Sequence, residues 1–112
     1  MLKIGNLKLK YPFIIAALAG ISDLPFRILN HGFGCELAIT EMINVRSLGY
    51  NSKKTRCMLS THQTDRPLGV QLLGCEPKFI LRAMDILKNY QFDLIDFNAA
   101  CPQKKIVRRG EG

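Results

Sequence analysis

Several polar side chains stand where apolar runs of this sequence end, and they are the residues best placed to do chemistry. Gln71 lies within the apolar run 68–73. An unpaired carboxamide there would cost roughly 1–3 kcal/mol, so Gln71 is expected to have hydrogen-bond partners. A heteroaromatic ligand with alternating donors and acceptors would suit it, and neighbouring backbone groups would serve equally well. Glu41, Asn98 and Cys101 follow other apolar runs.

Cys101 is the candidate for proton transfer or covalent chemistry. It stands next to Pro102, and basic residues follow closely, so its thiol is expected at the surface. A free thiol is mostly protonated near neutral pH and can donate a proton, whereas nearby cations favour the nucleophilic thiolate. Both roles stay open, as does an inert loop thiol. The basic residues, which suit either phosphate contacts or a solvated face, are Lys104, Lys105, Arg108 and Arg109.

The other cysteines and the histidines indicate no metal site. The four cysteines form no C-x-x-C pair, and no histidine stands at zinc-ligand spacing from them. They are predicted to be free thiols, three of the four lying in or near the core. His31 and His62 are predicted to be structural.

The composition describes an ordinary globular chain with excess positive charge. Its 112 residues are 47% hydrophobic and 22% charged, with a mean hydropathy of +0.05, which is enough for one compact core. No apolar run approaches the roughly 18 residues of a membrane span, and no signal-like stretch follows Met1, so a cytoplasmic protein is expected. A net charge of +7 favours a polyanionic partner.

Hydrophobic periodicity and turn residues predict the elements that must position these side chains. The predicted β-structure is a hairpin over 3–10 that turns at Gly5-Asn6 and strands over 13–18, 37–40, 68–73 and 92–97. The predicted helices are one with its N-cap at Ser22 or Asp23 that ends at 31–34, a short one over 43–48 and one over 76–88. Residues 51–67 are predicted to form a basic loop with one helical turn.

This alternation of strands and helices is typical of a parallel α/β sheet with crossover helices. A doubly wound dinucleotide-binding sheet is disfavoured, because residues 19–23 hold a single glycine where G-x-G-x-x-G would be expected. The favoured fold class is a parallel (β/α)8 TIM barrel. Since such a barrel needs about 250 residues, residues 1–112 are expected to form its N-terminal half, preceded by the short β-hairpin. The strand ends would then share one rim, where barrel enzymes place their sites.

Three segments carry a resemblance to a known family: AALAGISDLPFR at 16–27, VQLLG at 70–74 and DFNAACP at 96–102. With them, the chain resembles the amino-terminal part of bacterial tRNA-dihydrouridine synthases over its whole length. The Asn-x-x-Cys-Pro segment, with its downstream Lys and Arg-x-Gly, is the most specific portion.

The resemblance implies a (β/α)8 barrel that binds FMN, a smaller helical domain after it, and reduction of specific uridines in tRNA to 5,6-dihydrouridine with NADPH as the electron source. In that reaction hydride passes from flavin N5 to uracil C6, and a proton must reach C5. A thiol suits that proton transfer better than a carboxylic acid, which is ionised near neutral pH. Carried over by motif, Cys101 is the proton donor, Ala17, Leu18, Ala19, Gln71 and Asn98 contact the flavin, and Lys104, Lys105, Arg108 and Arg109 hold RNA phosphates.

The sequence departs from the family pattern at two places. The family usually has Ala-Pro-Met at 16–18 and often Met-Gly at 99–100, where this chain has Ala-Ala-Leu and Ala-Ala. Neither change removes a reacting group, but the family's later rim residues, phosphate-binding loops and helical domain lie beyond Gly112. Two other functions stay open: an FMN barrel dehydrogenase acting on a free pyrimidine, and an inactive truncated chain that binds RNA.

Overall fold

The computed structural model describes all residues, Met1–Gly112. Its elements are β1 (Leu2–Ile4), β2 (Leu7–Leu9), α1 (Leu24–Gly32), β3 (Ala38–Ile39), β4 (Ile43–Asn44), α2 (Val45–Tyr50), α3 (Lys53–Met58), β5 (Leu68–Leu73), α4 (Pro77–Leu87), β6 (Leu94–Phe97) and α5 (Lys104–Val107). None of the helices has the length and apolar character needed to cross a membrane.

The chain opens with the predicted hairpin, in which β1 and β2 pair antiparallel. Gly5 has a φ of 57°, the positive value that the first central position of a two-residue II′ turn requires. Leu9 is buried in one apolar cluster with Leu37 and Ile39. The hairpin therefore covers the amino ends of the parallel strands.

A parallel sheet forms the centre of the molecule, with β5 in its middle. β6 pairs along one edge of β5, while β3 and β4 share the other edge. Ile15 adds a single parallel bridge to Ala38, on the side of β3 that faces away from β5. Neighbouring strands therefore follow chain order, and the prediction of an α/β fold with a parallel sheet is confirmed.

One extra residue interrupts the sheet edge that β3 and β4 share. Ile39 is paired with Gly69 and Ile43 with Leu72, so four steps along one strand match three along the other. This is a β-bulge over 40–42. Ile39 packs with the hairpin, whereas Ile43 enters the core on the opposite face, so the bulge changes the face to which alternate side chains point.

Helices cover only that opposite face of the sheet. Val70, Leu72 and Ile43 are buried there against apolar residues of α2 and α4. α4 matches the predicted amphipathic helix within one residue at each end, and Asp23 caps α1 by accepting the N–H of Phe26 at 3.1 Å. The other face, beyond the hairpin, is left open.

Several element predictions are wrong in part. The run 13–18 makes one bridge instead of a strand, and Phe13 is 77% exposed because no helix packs on it. The range 43–48 begins with β4 before α2, because the bulge returns the chain to its pairing with β5. Helix α5 lies in a segment for which no helix is predicted. Ile95 and Phe97 of β6 lie beside Val70 and Leu72 on the face of the sheet that the helices cover, but both are exposed, since no helix of the chain packs over β6.

Candidate functional site

Gln71 and Cys101 border one open cavity at the carboxyl ends of β5 and β6. The cavity has a volume of about 380 Å³, and residues 96–100 form its other walls. Cys101 is partly exposed, so the residue belongs to the cavity wall and not to the core. The structure thus brings the predicted proton donor together with two predicted flavin contacts, Gln71 and Asn98.

Asn98 links Gln71 to the Cys101 loop through hydrogen bonds. Its Nδ2 donates to Gln71 Oε1 at 3.1 Å and lies 3.3 Å from Met42 Sδ. Its Oδ1 accepts from the backbone N–H groups of Ala100 and Cys101 at 3.0 and 3.1 Å. The Asn98 carboxamide therefore fixes the conformation of the backbone at Ala100 and Cys101.

Gln71 is held through both its side chain and its backbone. Its Nε2 donates to Asp96 Oδ2 at 2.7 Å, and its backbone N–H donates to Thr40 Oγ1 at 3.1 Å. The threonine hydroxyl replaces a carbonyl that the bulge displaces from the sheet ladder. The expected hydrogen-bond partners exist, and they are mostly side chains. One N–H and one lone pair of the carboxamide remain without a partner in the chain.

A second cavity of about 500 Å³ opens on the uncovered face of the sheet. Ala17, Gln71, Asp96 and Asn98 line it together with apolar side chains from β3 and β6. The last three residues also border the first cavity, so the two cavities adjoin. The backbone N–H of Ala17 makes no hydrogen bond within the chain and is available to a ligand.

Leu18 and Ala19 lie outside both cavities. The N–H of Leu18 donates to Ser22 Oγ at 2.9 Å, and its carbonyl accepts from the Ser22 N–H at 2.9 Å. Ala19 borders a separate cavity of about 470 Å³ beside α1. Of this predicted flavin segment, Ala17 alone shares a cavity with Gln71.

The basic residues that follow Cys101 are all exposed beside the site. Arg109 lies 3.9 Å from the buried Glu111, which also accepts from Asn44 Nδ2 at 3.2 Å. A Cβ atom on Gly112 would lie 2.7 Å from the carbonyl oxygen of Cys101, so the backbone after α5 passes directly against the Cys101 loop. The exposed cations on this segment are Lys104, Lys105, Arg108 and Arg109.

A buried ionic cluster lies away from the two adjoining cavities. Arg27 and Asp65 are 2% and 0% exposed, and Arg27 Nε and Nη2 both lie 2.9 Å from Asp65 Oδ2. Arg27 also donates to the carbonyl of Ser60 at 3.0 Å. His31 Nε2 lies 3.3 Å from Asp65 Oδ1 but outside hydrogen-bond geometry. The cluster fastens α1 to the loop after α3, and His31 lies against it.

None of the four free cysteines is fully buried, so the prediction that three lie in or near the core is wrong. Cys57 and Cys75 are exposed, and Cys35 and Cys101 are partly exposed, because all four lie in helices or loops at the surface of the sheet. Burial raises the pKa of the Cys35 thiol, which donates to the carbonyl of Leu37 at 3.2 Å. His, Cys, Asp and Glu side chains nowhere gather in threes that could hold a metal ion.

The sequence patterns above do not single out Asp96, Thr40 and Met42, although all three contact the site. A signal for Asp96 exists: it stands two residues before Asn98 in a strand, and side chains two apart face the same side. Thr40 and Met42 carry no such signal, because the bulge that places them is invisible to a period of two.

Fold and site together define an α/β protein with a polar candidate active site at the carboxyl edge of a parallel sheet. Residues 14–112 match the model of one family, described as Dihydrouridine synthase (Dus). The chain belongs to the dihydrouridine synthase family, which confirms the resemblance found in its sequence.

Individual relatives agree with this assignment. The chain is 38% identical over 113 residues to a "Probable tRNA-dihydrouridine synthase" of Rickettsia bellii (strain RML369-C), covering 100% of this chain and 35% of the relative. It is 33% identical over 111 residues to "tRNA-dihydrouridine synthase B" of Pasteurella multocida (strain Pm70), covering 99% of this chain and 33% of the relative. The chain thus spans about a third of the length of the curated relatives it matches.

Proposed function

We propose that the protein containing this chain is a flavin-dependent tRNA-dihydrouridine synthase, an oxidoreductase that reduces specific uridines in tRNA to 5,6-dihydrouridine. The observation that carries the proposal is that Cys101 and Gln71 border the same cavity. Family membership and the names of the relatives point to the same reaction.

The proposed architecture is the first half of a (β/α)8 barrel, formed by residues 1–112. From Ile15 to β6, the strand segments lie side by side in chain order. This order supports the barrel, because a doubly wound sheet reverses its strand order. The hairpin covers the amino ends of the strands, and the candidate site lies at their carboxyl ends, the end where barrel enzymes carry their chemistry.

The residues at the two adjoining cavities fit the edge of an isoalloxazine ring. The free N–H and lone pair of Gln71, with the unpaired N–H of Ala17, supply alternating donors and acceptors beside apolar walls. Ala17, Gln71 and Asn98 are the proposed FMN contacts, with Leu18 and Ala19 extending the same segment. Bound FMN, reduced by NADPH, supplies the hydride for the reaction.

Cys101 is the proposed proton donor to C5 of the target uracil. Asn98 fixes the backbone at Cys101, and partial exposure leaves the thiol within reach of a base that has left its stack. The exposed cations beside the loop would bind phosphates of the tRNA around that base: Lys104, Lys105, Arg108 and Arg109.

The test replaces the thiol and spares the rest of the site. In the protein expressed from its whole reading frame, Cys101→Ala should abolish dihydrouridine in cellular tRNA while flavin absorbance of the purified protein persists. Cys57→Ala, which removes an exposed thiol on α3, is the matched control and should keep full activity. Dihydrouridine is measured by mass spectrometry of nucleosides from a strain that carries only the variant.

Three results would contradict parts of the proposal. Undiminished dihydrouridine in the Cys101→Ala strain would remove that thiol from the mechanism. A wild-type protein purified without flavin absorbance, and unable to bind added FMN, would rule out the flavin enzyme. Turnover of free uracil or orotate without turnover of tRNA would favour a dehydrogenase for free pyrimidines.

A further inference from the structure

We infer that Asp96 is a positioning residue that fixes the orientation of the Gln71 carboxamide and, through it, the donor and acceptor presented to the flavin. This inference rests on the proposed function. Asp96 borders both adjoining cavities, accepts from Gln71 Nε2 at 2.7 Å, and has no cation within ion-pair distance. The one hydrogen bond that the Asp96 carboxylate accepts within the chain is the one from Gln71.

The direction of the hydrogen-bond chain follows from its two ends. At one end, the N–H groups of Ala100 and Cys101 are donors only, so the oxygen of Asn98 must face them and its nitrogen must face Gln71. At the other end, an ionised Asp96 is an acceptor only, so the nitrogen of Gln71 must face Asp96. Carboxamide orientations are otherwise interchangeable by a flip, and here both ends exclude it.

This fixed direction decides what Gln71 offers a ligand. Its remaining N–H is on the side of Asp96, and its remaining lone pair is on the side of Asn98. A neutral side chain at position 96 that could also donate a hydrogen bond would accommodate the flipped Gln71 carboxamide, with its oxygen facing position 96, at a lower free-energy cost. The backbone of Gln71 is fixed independently by Thr40, so Asp96 acts on the side chain alone.

The test uses the FMN-loaded protein expressed from its whole reading frame. Asp96→Asn keeps the shape of the side chain but loses the charge and the acceptor-only character. We expect FMN to bind roughly tenfold more weakly, which is the difference between a charge-assisted and a neutral hydrogen bond. The flavin reduction potential should also shift, because the donor and acceptor that Gln71 presents to the flavin would no longer be fixed in one orientation. Titration with FMN, followed by visible absorbance, gives the affinity, and a dye-coupled reduction gives the potential.

Asp93→Asn is the matched control. Asp93 accepts the N–H of Leu68 at 2.8 Å, so it joins the same two strands at their amino ends, away from the site. Its substitution should lower thermal stability without moving FMN affinity or reduction potential. In a Gln71→Ala background, Asp96→Asn should have no further effect on FMN affinity, because Asp96 acts through that side chain.

The outcomes separate this inference from the proposed function. If Gln71→Ala weakens FMN binding but Asp96→Asn leaves affinity and potential at the wild-type values, the positioning role is refuted and the flavin site stands. If Gln71→Ala also leaves FMN binding unchanged, the flavin site itself is misplaced. Should Asp96→Asn fail to fold, NMR of the wild-type protein decides the point. The separation between the two Gln71 carboxamide proton signals should be much larger than that of a solvent-exposed glutamine, and the ordinary separation would refute the inference.

Discussion

Breaking the buried pair between Arg27 and Asp65 should cost far more stability than breaking an exposed pair of the same length. Arg27 Nη2 and Asp65 Oδ2 lie 2.9 Å apart with both side chains almost fully buried. Lys88 Nζ and Asp85 Oδ1 also lie 2.9 Å apart, but both side chains are 76% exposed. The two pairs share their distance and differ in burial, so the comparison isolates burial.

The magnitude follows from what each substitution leaves behind. Asp65→Ala removes the carboxylate, but Arg27 keeps its hydrogen bonds to the carbonyls of Ser22 and Ser60. We expect a loss of about 3 kcal/mol, the lower end for an orphaned buried charge. Arg27→Met leaves Asp65 buried with only His31 nearby, so the loss should approach about 5 kcal/mol. Either loss is a large part of a typical folding free energy of about 5–15 kcal/mol.

Urea unfolding followed by circular dichroism measures these losses, with Asp85→Ala as the matched exposed control. The control should cost no more than about 1 kcal/mol. Combining Arg27→Met with Asp65→Ala removes both charges, so the double variant should be less destabilised than the sum of the two single variants. The reasoning is refuted if Asp65→Ala costs no more than Asp85→Ala, or if the double variant loses the full sum.

Two further predictions concern the thiols and the basic segment. At pH 8 iodoacetamide should label the exposed Cys57 and Cys75 before Cys35, whose raised pKa keeps its thiol protonated to higher pH. Peptide mass spectrometry gives the order of labelling, and labelling of Cys35 at the rate of Cys57 would contradict the prediction. Lys105→Gln should weaken tRNA binding and reduce the slope of log affinity against log salt by about 1, whereas Lys88→Gln on α4 should change neither. Filter binding at several salt concentrations measures both quantities. Equal slopes for the two variants would remove Lys105 from the tRNA interface.

Elements with a strong local pattern were predictable from the sequence. The run 68–73 coincides with β5, because a continuous apolar run ending at Gly74 has few alternatives to a buried strand. The hairpin turning at Gly5 is confirmed for a similar reason, since its turn chemistry is local. The run 13–18 is equally apolar, yet it gains only one bridge, because its pairing depends on partners that local sequence does not describe.

The candidate site divides in the same way. Gln71, Asn98 and Cys101 were predictable because each stands at or near a strand end, and parallel strands bring their carboxyl ends to one edge. Thr40 was not, because its contact with the Gln71 backbone depends on a bulge. Phe26-Arg27 belongs to a segment that carries the family resemblance, and only the structure shows that Arg27 is structural there.

The bulge over 40–42 also decides what a change of length in this segment would alter. With the additional residue, Ile39 and Ile43 point to opposite faces although they are an even number of positions apart. Deleting one residue between them would leave them three positions apart, which matches the three steps from Gly69 to Leu72, so both side chains would keep their faces and their pairing with β5. A homologue that is one residue shorter here can therefore keep both apolar contacts, and what it loses is the bulge that places Thr40 Oγ1 against the backbone N–H of Gln71.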